Sequence, residues 1–375
     1  MIPKLPYFDN NSTTCVDEEV LQYMLPFFNQ NYGNAGSTNH HYGLYASVAI
    51  ETATKQVAKL INCEDAELIF TSGATESVNL ALKGVYEAYA DKGNHIITCK
   101  TEHKAVLDCC HYLEKKGAKI TYLGVDPEGM IDLDELKSCI TDKTILLCLM
   151  TANNETGVIH PIEKISAICN EMQILFFSDA TQFIGKERFD VQESGAHLVA
   201  FSAHKFHGPK GIGALYVSRK NPRVNLIPQV HGGAQQNGKR AGTLNVALIA
   251  ALGKTAEIAE KQYWENSAHI SKLKNHFEHQ LLEIPGLRIN GSTRNRLHNT
   301  SNLCFPPNYK VKELMKKFAF SSGSSCTTHS TEPSHVLNAM GFDKEEIKNS
   351  YRFSFSKYNT LEEVELLIAA IQSAG

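Results

Sequence analysis

Between about residue 45 and residue 218 the chain alternates short apolar, β-rich runs with amphipathic helical stretches, and this alternation narrows the possible folds more than any other feature. A strand that is apolar on both faces must be covered on both, and helices returning between such strands build a mostly parallel sheet in an α/β arrangement. The runs predict strands at Glu67–Thr71, His95–Cys99, Lys119–Leu123, Thr144–Leu149, Ile174–Ser178, His197–Phe201 and Ala214–Val217, with helical patterns over Glu76–Ala90, His103–Lys116 and Ile162–Glu171. Seven strands fit one large α/β unit. A long Ala-, Glu- and Lys-rich helical stretch from Ala247 to Leu281 then bridges to a region of α+β character, Leu287 to Gly375. At 375 residues, 42% hydrophobic and 21% charged, the chain is long enough for about two domains.

Composition also excludes partners. A formal net charge of −3 gives no basic footprint for nucleic acid or an anionic membrane, so a small substrate is expected. The ten cysteines form no CxxC pair, and several, such as Cys99 and Cys148, sit in apolar runs, which favours a reducing compartment. The N-terminus Met1-Ile2-Pro3-Lys4-Leu5-Pro6 lacks the apolar core of a signal peptide, and no run approaches the length of a membrane span. The expected location is the cytoplasm, or an organelle matrix after processing. The pair His40-His41 lacks companions at ligand spacing, so no metal is expected.

The chemistry collects where strands end. Lys205 follows the apolar run Leu198-Val199-Ala200-Phe201, is flanked by Ser202, His204 and His207, and precedes Gly208-Pro209-Lys210-Gly211-Ile212-Gly213. A primary amine so placed suits a Schiff base to pyridoxal phosphate; a lone lysine would be read as a solvated loop residue, and it is the surrounding constellation that reverses that reading. Ile69-Phe70-Thr71-Ser72-Gly73-Ala74-Thr75-Glu76-Ser77 reads as strand, glycine turn and helix start, where free N–H groups and the Thr75 hydroxyl can meet a phosphate. A capped helix without a ligand is the plainer alternative. Asp179 closes another apolar strand, where a carboxylate can hold a pyridinium nitrogen protonated or simply cap the next turn; Gln182 could reach the ring oxygen. Asn153-Asn154-Glu155 could offer amides to that oxygen or to a substrate carboxylate, or form an Asx turn. His103, after the strand His95–Cys99, could stack on a planar ring and shuttle a proton, or be structural. Cys326, among small polar residues, suits an accessible thiolate on an exposed loop, and Arg352, in an alternating run, suits a fork for a carboxylate.

Taken together, these motifs resemble a cysteine desulfurase of the class V aminotransferase family, in the subgroup with the longer thiol loop. The resemblance runs from Phe8-Asp9-Asn10-Asn11-Ser12-Thr13-Thr14 through Tyr32-Gly33-Asn34, Thr101-Glu102-His103-Lys104, Asp179-Ala180-Thr181-Gln182, Ser202 to Gly213 and Arg240-Ala241-Gly242-Thr243 to Ser321–Cys326 and Arg352-Phe353-Ser354. It implies fold type I of the pyridoxal-phosphate enzymes, similar to aspartate aminotransferase. The large domain would span 15–256 with a mixed, mostly parallel seven-stranded sheet, and the smaller α+β domain would comprise 1–14 and 257–375. It further implies that Lys205 bears the cofactor, Asp179 pairs with its ring nitrogen, Gln182 binds its ring oxygen and His103 stacks on the ring. Gly73, Ala74, Thr75, Ser202 and His204 would hold the phosphate, with Thr243 supplied by the partner subunit of a homodimer. Asn154 and Arg352 would hold the carboxylate of L-cysteine, and Cys326 would receive the sulfur as a persulfide while the substrate leaves as L-alanine, the sulfur passing on to an acceptor protein. Selenocysteine lysis, another class V amino-group reaction and a non-catalytic sulfur-trafficking role are the alternatives. Two positions depart from the family pattern, Gln236 for an acidic residue and Thr151 for a histidine. The chain ends at Gly375, directly after the helical pattern Leu361–Ser373, so scaffold docking through a C-terminal tail is not expected.

Overall fold

The computed structural model describes residues 5–220, 222–322 and 333–375. Seven strands, β1 (Leu68–Thr71), β2 (His95–Cys99), β3 (Lys119–Leu123), β4 (Thr144–Cys148), β5 (Leu175–Asp179), β6 (Leu198–Ser202) and β7 (Gly213–Val217), form one sheet in the order β1-β7-β6-β5-β4-β2-β3. The run β6-β5-β4-β2-β3 is parallel, whereas β7 is antiparallel to both β6 and β1. Successive strand residues pack into opposite cores: Phe176, Val199 and Phe201 on one face, Leu175, Phe177, Leu198 and Ala200 on the other. A strand with two buried faces is mostly apolar along its length, with only small polar residues such as Thr98 and Ser178 inside, so charged groups collect where the parallel strands end, and the carboxyl edge of the sheet becomes the chemical edge. Compared with the sequence expectation, β5 and β6 each run one residue further, making Asp179 and Ser202 the last residues of their strands. Glu67 belongs instead to the short 3₁₀ turn Asp65–Glu67.

A smaller antiparallel sheet contains β8 (Arg288–Ile289), β9 (Thr300–Cys304), β10 (Ser321–Ser322) and β11 (Ser350–Ser354), in the order β10-β11-β9-β8. The N-terminal segment joins it through the bridges Tyr7–Ala319 and Asp9–Ser354. The 36-residue helix Val246–Leu281 spans both bodies. Its first half carries Ile249, Leu252 and Ala256 into the large core, and its second carries Ile270, Leu273, Phe277 and Leu281 onto Phe353 and Phe355 of the small one. Among the described residues no helix is long and apolar enough to cross a membrane.

Gln236 closes the open edge of the large sheet. The outward N–H of Phe70 in β1 donates to Gln236 Oε1 at 2.6 Å, and Gln236 Nε2 donates to the Phe70 carbonyl at 2.8 Å. The amide thus mimics a further strand residue, which a carboxylate cannot do because it has nothing to donate to the carbonyl. Gln236→Glu is therefore expected to destabilise the protein by about 1–3 kcal/mol at neutral pH, the cost of an unsatisfied acceptor facing a charge. Thermal unfolding should show a lower midpoint that recovers partly as the pH falls and the new carboxyl takes up a proton.

Candidate functional site

A cleft of about 650 Å³ opens over the carboxyl edge of the large sheet and is closed on its other side by the small one. That size accommodates a cofactor together with a small substrate. Its floor is built by strand ends. β1 passes through Ser72 and Gly73 into the helix Ala74–Ala88, whose N-cap, Gly73, has φ +152° and no side-chain cap, leaving the first N–H groups free. A Cβ on Gly73 would lie 3.6 Å from Ser202 Oγ and force a backbone that L-residues rarely adopt, so glycine keeps the space between this helix end and β6 open. Glu76 fixes the turn, accepting from Ser72 N at 2.7 Å and pairing through both oxygens with Arg240 at 2.7 and 3.2 Å. Burial works to raise the Glu76 pKa, but the Arg240 and Ser72 hydrogen bonds outweigh it and hold the carboxyl below its usual range.

Lys205 enters the cleft from the 3₁₀ turn Ala203–Lys205 that follows β6, and its Nζ donates to the carbonyls of Asn11 at 2.7 Å and Ser12 at 2.8 Å. Burial, then the nearby Arg352 charge, lowers its pKa from 10.5 to about 8, with Asp179 and Asp9 opposing. A far larger fraction of this amine is thus neutral near physiological pH than for an ordinary lysine, and the neutral form is the one a nucleophile requires. Asp179, buried at the end of β5, uses Oδ1 to accept from Thr181 N at 3.0 Å and faces the same cleft. Gln182 donates through Nε2 to Asn11 O at 2.9 Å. Ser202, Thr75 and His204 line the cleft beside Gly73. His204 Nδ1 lies 3.1 Å from Thr13 Oγ1, and burial lowers its pKa to about 4, so the ring is neutral.

His103 is the N-cap of the helix Lys104–Glu114: its Nδ1 accepts from Ala105 N at 3.1 Å while the ring stands open to the cleft. Protein atoms crowding its other sides lower its pKa, the Asp179 carboxylate opposing. Arg352, in β11, is buried. It donates to Asn154 O at 2.9 Å, Asp9 Oδ1 at 2.7 Å, Ser12 Oγ at 2.7 Å and Ser321 Oγ at 2.9 Å, while its Nε has no partner among the described residues. Asn154 lines the cleft, its carbonyl accepting from Arg352 and from Asn11 Nδ2, and Asn153 is the residue that forms the Asx turn.

Lys205, His103, Asp179, Gln182, Gly73, Ala74, Thr75, Ser202, His204, Asn154 and Arg352 therefore all line one cleft. Thr243 does not; it is exposed on the loop after Gly242. Cys326 lies outside the described residues. Sequence reasoning passed over three residues of the site. Asn11 bonds both Lys205 and Gln182; Lys186 donates to Asn11 Oδ1 at 2.9 Å and Gln182 Oε1 at 2.6 Å; His335 lines the wall beside His103. Only the motif around Asn11 carried a signal. Competitive acylation of the unliganded protein should label Lys205 with a rate that rises with pH and levels off above about 8. A midpoint near the ordinary lysine value of 10.5 would contradict the amine's environment.

The sequence pattern of the aminotransferase class-V family matches residues 6–367. The cysteine desulfurase IscS of Ehrlichia chaffeensis is 45% identical over 376 residues, covering 98% of this chain and 92% of that protein. Among solved structures, a NifS-like protein superposes with a TM-score of 0.91 at 37% identity, covering 98% of each chain. SspA in complex with cysteine superposes with a TM-score of 0.84 at 35% identity, covering 95% of this chain and 100% of that one. With a match across nearly all of its length and the strand-edge cleft just described, the chain belongs to the aminotransferase class-V family.

Proposed function

We propose that the protein is a pyridoxal-phosphate-dependent cysteine desulfurase that converts L-cysteine to L-alanine and passes the sulfur to an enzyme cysteine. The observation that carries this reading is a Lys205 whose pKa burial lowers to about 8, sharing one cleft with Asp179, with an uncapped helix end at Gly73 on the same cleft. The residues present fit the cofactor: Gly73 leaves a cradle that a Cβ would strain beside uncapped helix N–H groups, and Asp179 stands across the same cleft. Gly73 and Ala74 N–H groups with Thr75, Ser202 and His204 would hold the phosphate, Asp179 the proton on the ring nitrogen, and Gln182 the ring oxygen, with the His103 ring against the plane. Pyridoxal phosphate, when bound, supplies an aldehyde that captures amines and a protonated ring that draws off the electron pair left at a substrate's α-carbon. Lys205 would hold the aldehyde, and its Nζ would take the substrate's α-proton. Arg352 and Asn154 orient the substrate carboxylate, and Cys326 accepts the sulfur for transfer to an acceptor protein serving iron-sulfur cluster assembly or thiolation.

The protein is further read as a cytoplasmic homodimer in which Thr243 completes the phosphate site of the other subunit. An exposed apolar patch of Leu25, Phe28, Tyr32, Tyr42, Leu44, Tyr45 and Val48 supports a second copy docking there, and no described cysteines pair as disulfides. The two units are taken as 15–256, and 1–14 with 257–375. The test is to supply L-cysteine and a reductant and measure alanine and sulfide; equal amounts are expected, and neither should form with Cys326→Ser. Alanine produced at an unchanged rate by Cys326→Ser would contradict the persulfide route. Arg352→Gln should raise KM for cysteine roughly 10- to 100-fold, the worth of a charge-assisted pair, while the absorbance of the bound cofactor survives.

A further inference from the structure

Two histidines line the cleft, and their hydrogen bonds give them opposite characters. His103 Nδ1 accepts the Ala105 N–H, so in the neutral ring the single proton is on Nε2, and the end left to the cleft is a donor. His335 Nε2 lies 2.8 Å from the Glu102 carbonyl, which can only accept. Its proton is therefore on Nε2, and Nδ1 keeps its lone pair. That Nδ1 has no partner among the described residues and is not sealed from solvent. The placement is firm: Ser334 caps the helix His335–Ala339, its Oγ accepting from Leu337 N at 3.1 Å and donating to Glu155 Oε2 at 2.5 Å, which ties His335 to the loop carrying Asn154.

Resting on the desulfurase reading, we propose that His335 is the proton acceptor for the sulfur of bound L-cysteine, a task His103 cannot perform in its capped state. His335 lines the same cleft as Arg352 and Lys205, so a substrate held there by its carboxylate and amine would have its side chain within that lining. His335 Nδ1 accepts the S–H hydrogen bond. As the attacking thiolate forms the sulfur–sulfur bond, the carbon–sulfur bond breaks and its electron pair stays on the substrate carbon. The sulfur leaves as the terminal atom of a persulfide anion, oxidised to the sulfane level, while the carbon is reduced. The S–H proton moves to Nδ1, and the imidazolium returns it to that carbon, completing the methyl group of alanine. Atoms and charge balance without a further reactant.

The experiment uses the cofactor-loaded full chain. His335→Gln keeps an amide donor for the Glu102 carbonyl but has no basic nitrogen, and His335→Ala leaves space for added imidazole. Alanine formation by His335→Gln should fall about 100-fold in kcat, the usual share of a general base, with cofactor absorbance unchanged and KM altered by no more than a few fold. Imidazole should restore His335→Ala. Turnover of His335→Gln within about twofold of the parent, or a loss in His335→Ala that imidazole leaves untouched, overturns the proposal. If the parent protein itself makes no alanine from cysteine, the desulfurase reading has failed instead.

Discussion

Asn11 joins the two halves of this molecule at the point where its chemistry occurs. The Asn11 carbonyl receives Lys205 and Gln182, its Oδ1 receives Lys186 and Asn299, and its Nδ2 donates to Asn154 O and Thr300 Oγ1. Its N–H donates to Ser354 Oγ in β11. One side chain and one peptide unit thereby fix the amine from the large sheet, the amide beside it and the loop of the substrate wall relative to the small sheet. A buried network of this kind is stable only when every member is satisfied, so it sets a single geometry for the cleft. Lys205 spends its hydrogen bonds on neutral carbonyls, and burial, then the Arg352 charge, disfavours its own charge.

Charge is distributed across the cleft by paired opposition. Arg352 is compensated by Asp9 at 2.7 Å, and Arg240 by Glu76, so the cationic groups are held in place and remain directional. Glu102, directly behind His103, is fully buried; burial pushes its pKa well up, and its Oε1 accepts from Met150 N at 2.6 Å. Asp179 is the carboxyl group that lines the cleft from the strand ends. Lys186 is likewise pushed well below its ordinary value, first by burial and then by Lys205 and Arg352. Around the cleft, then, burial lowers the pKa of both Lys205 and Lys186.

Much of this was legible in the sequence because parallel strands buried on both faces concentrate their polar residues at one end. Asp179, Ser202 and Lys205 stand out for that reason, and the glycine turn at Gly73 marks a helix start that a phosphate can use. Other roles left no local trace. Gln236 reaches Phe70 across 166 residues of chain, Lys186 reaches Asn11 across 175, and His335 reaches Glu102 across 233. Such contacts are set by how layers pack, and no periodicity or spacing encodes them. The donor or acceptor character of His103 was hidden for a related reason: it depends on which ring nitrogen caps the following helix. The Gln236 departure from the family's acidic residue reads as an anomaly in the sequence and becomes a sheet-edge hydrogen-bond pair in the fold.

The central claim is that Lys205, and not its buried neighbour Lys186, is the amine to which pyridoxal phosphate binds covalently. Borohydride reduction of the loaded protein followed by peptide mapping tests it directly. The account predicts a pyridoxyl mass on the peptide containing Lys205 and an unmodified Lys186; a label on Lys186, or on neither residue, would contradict it.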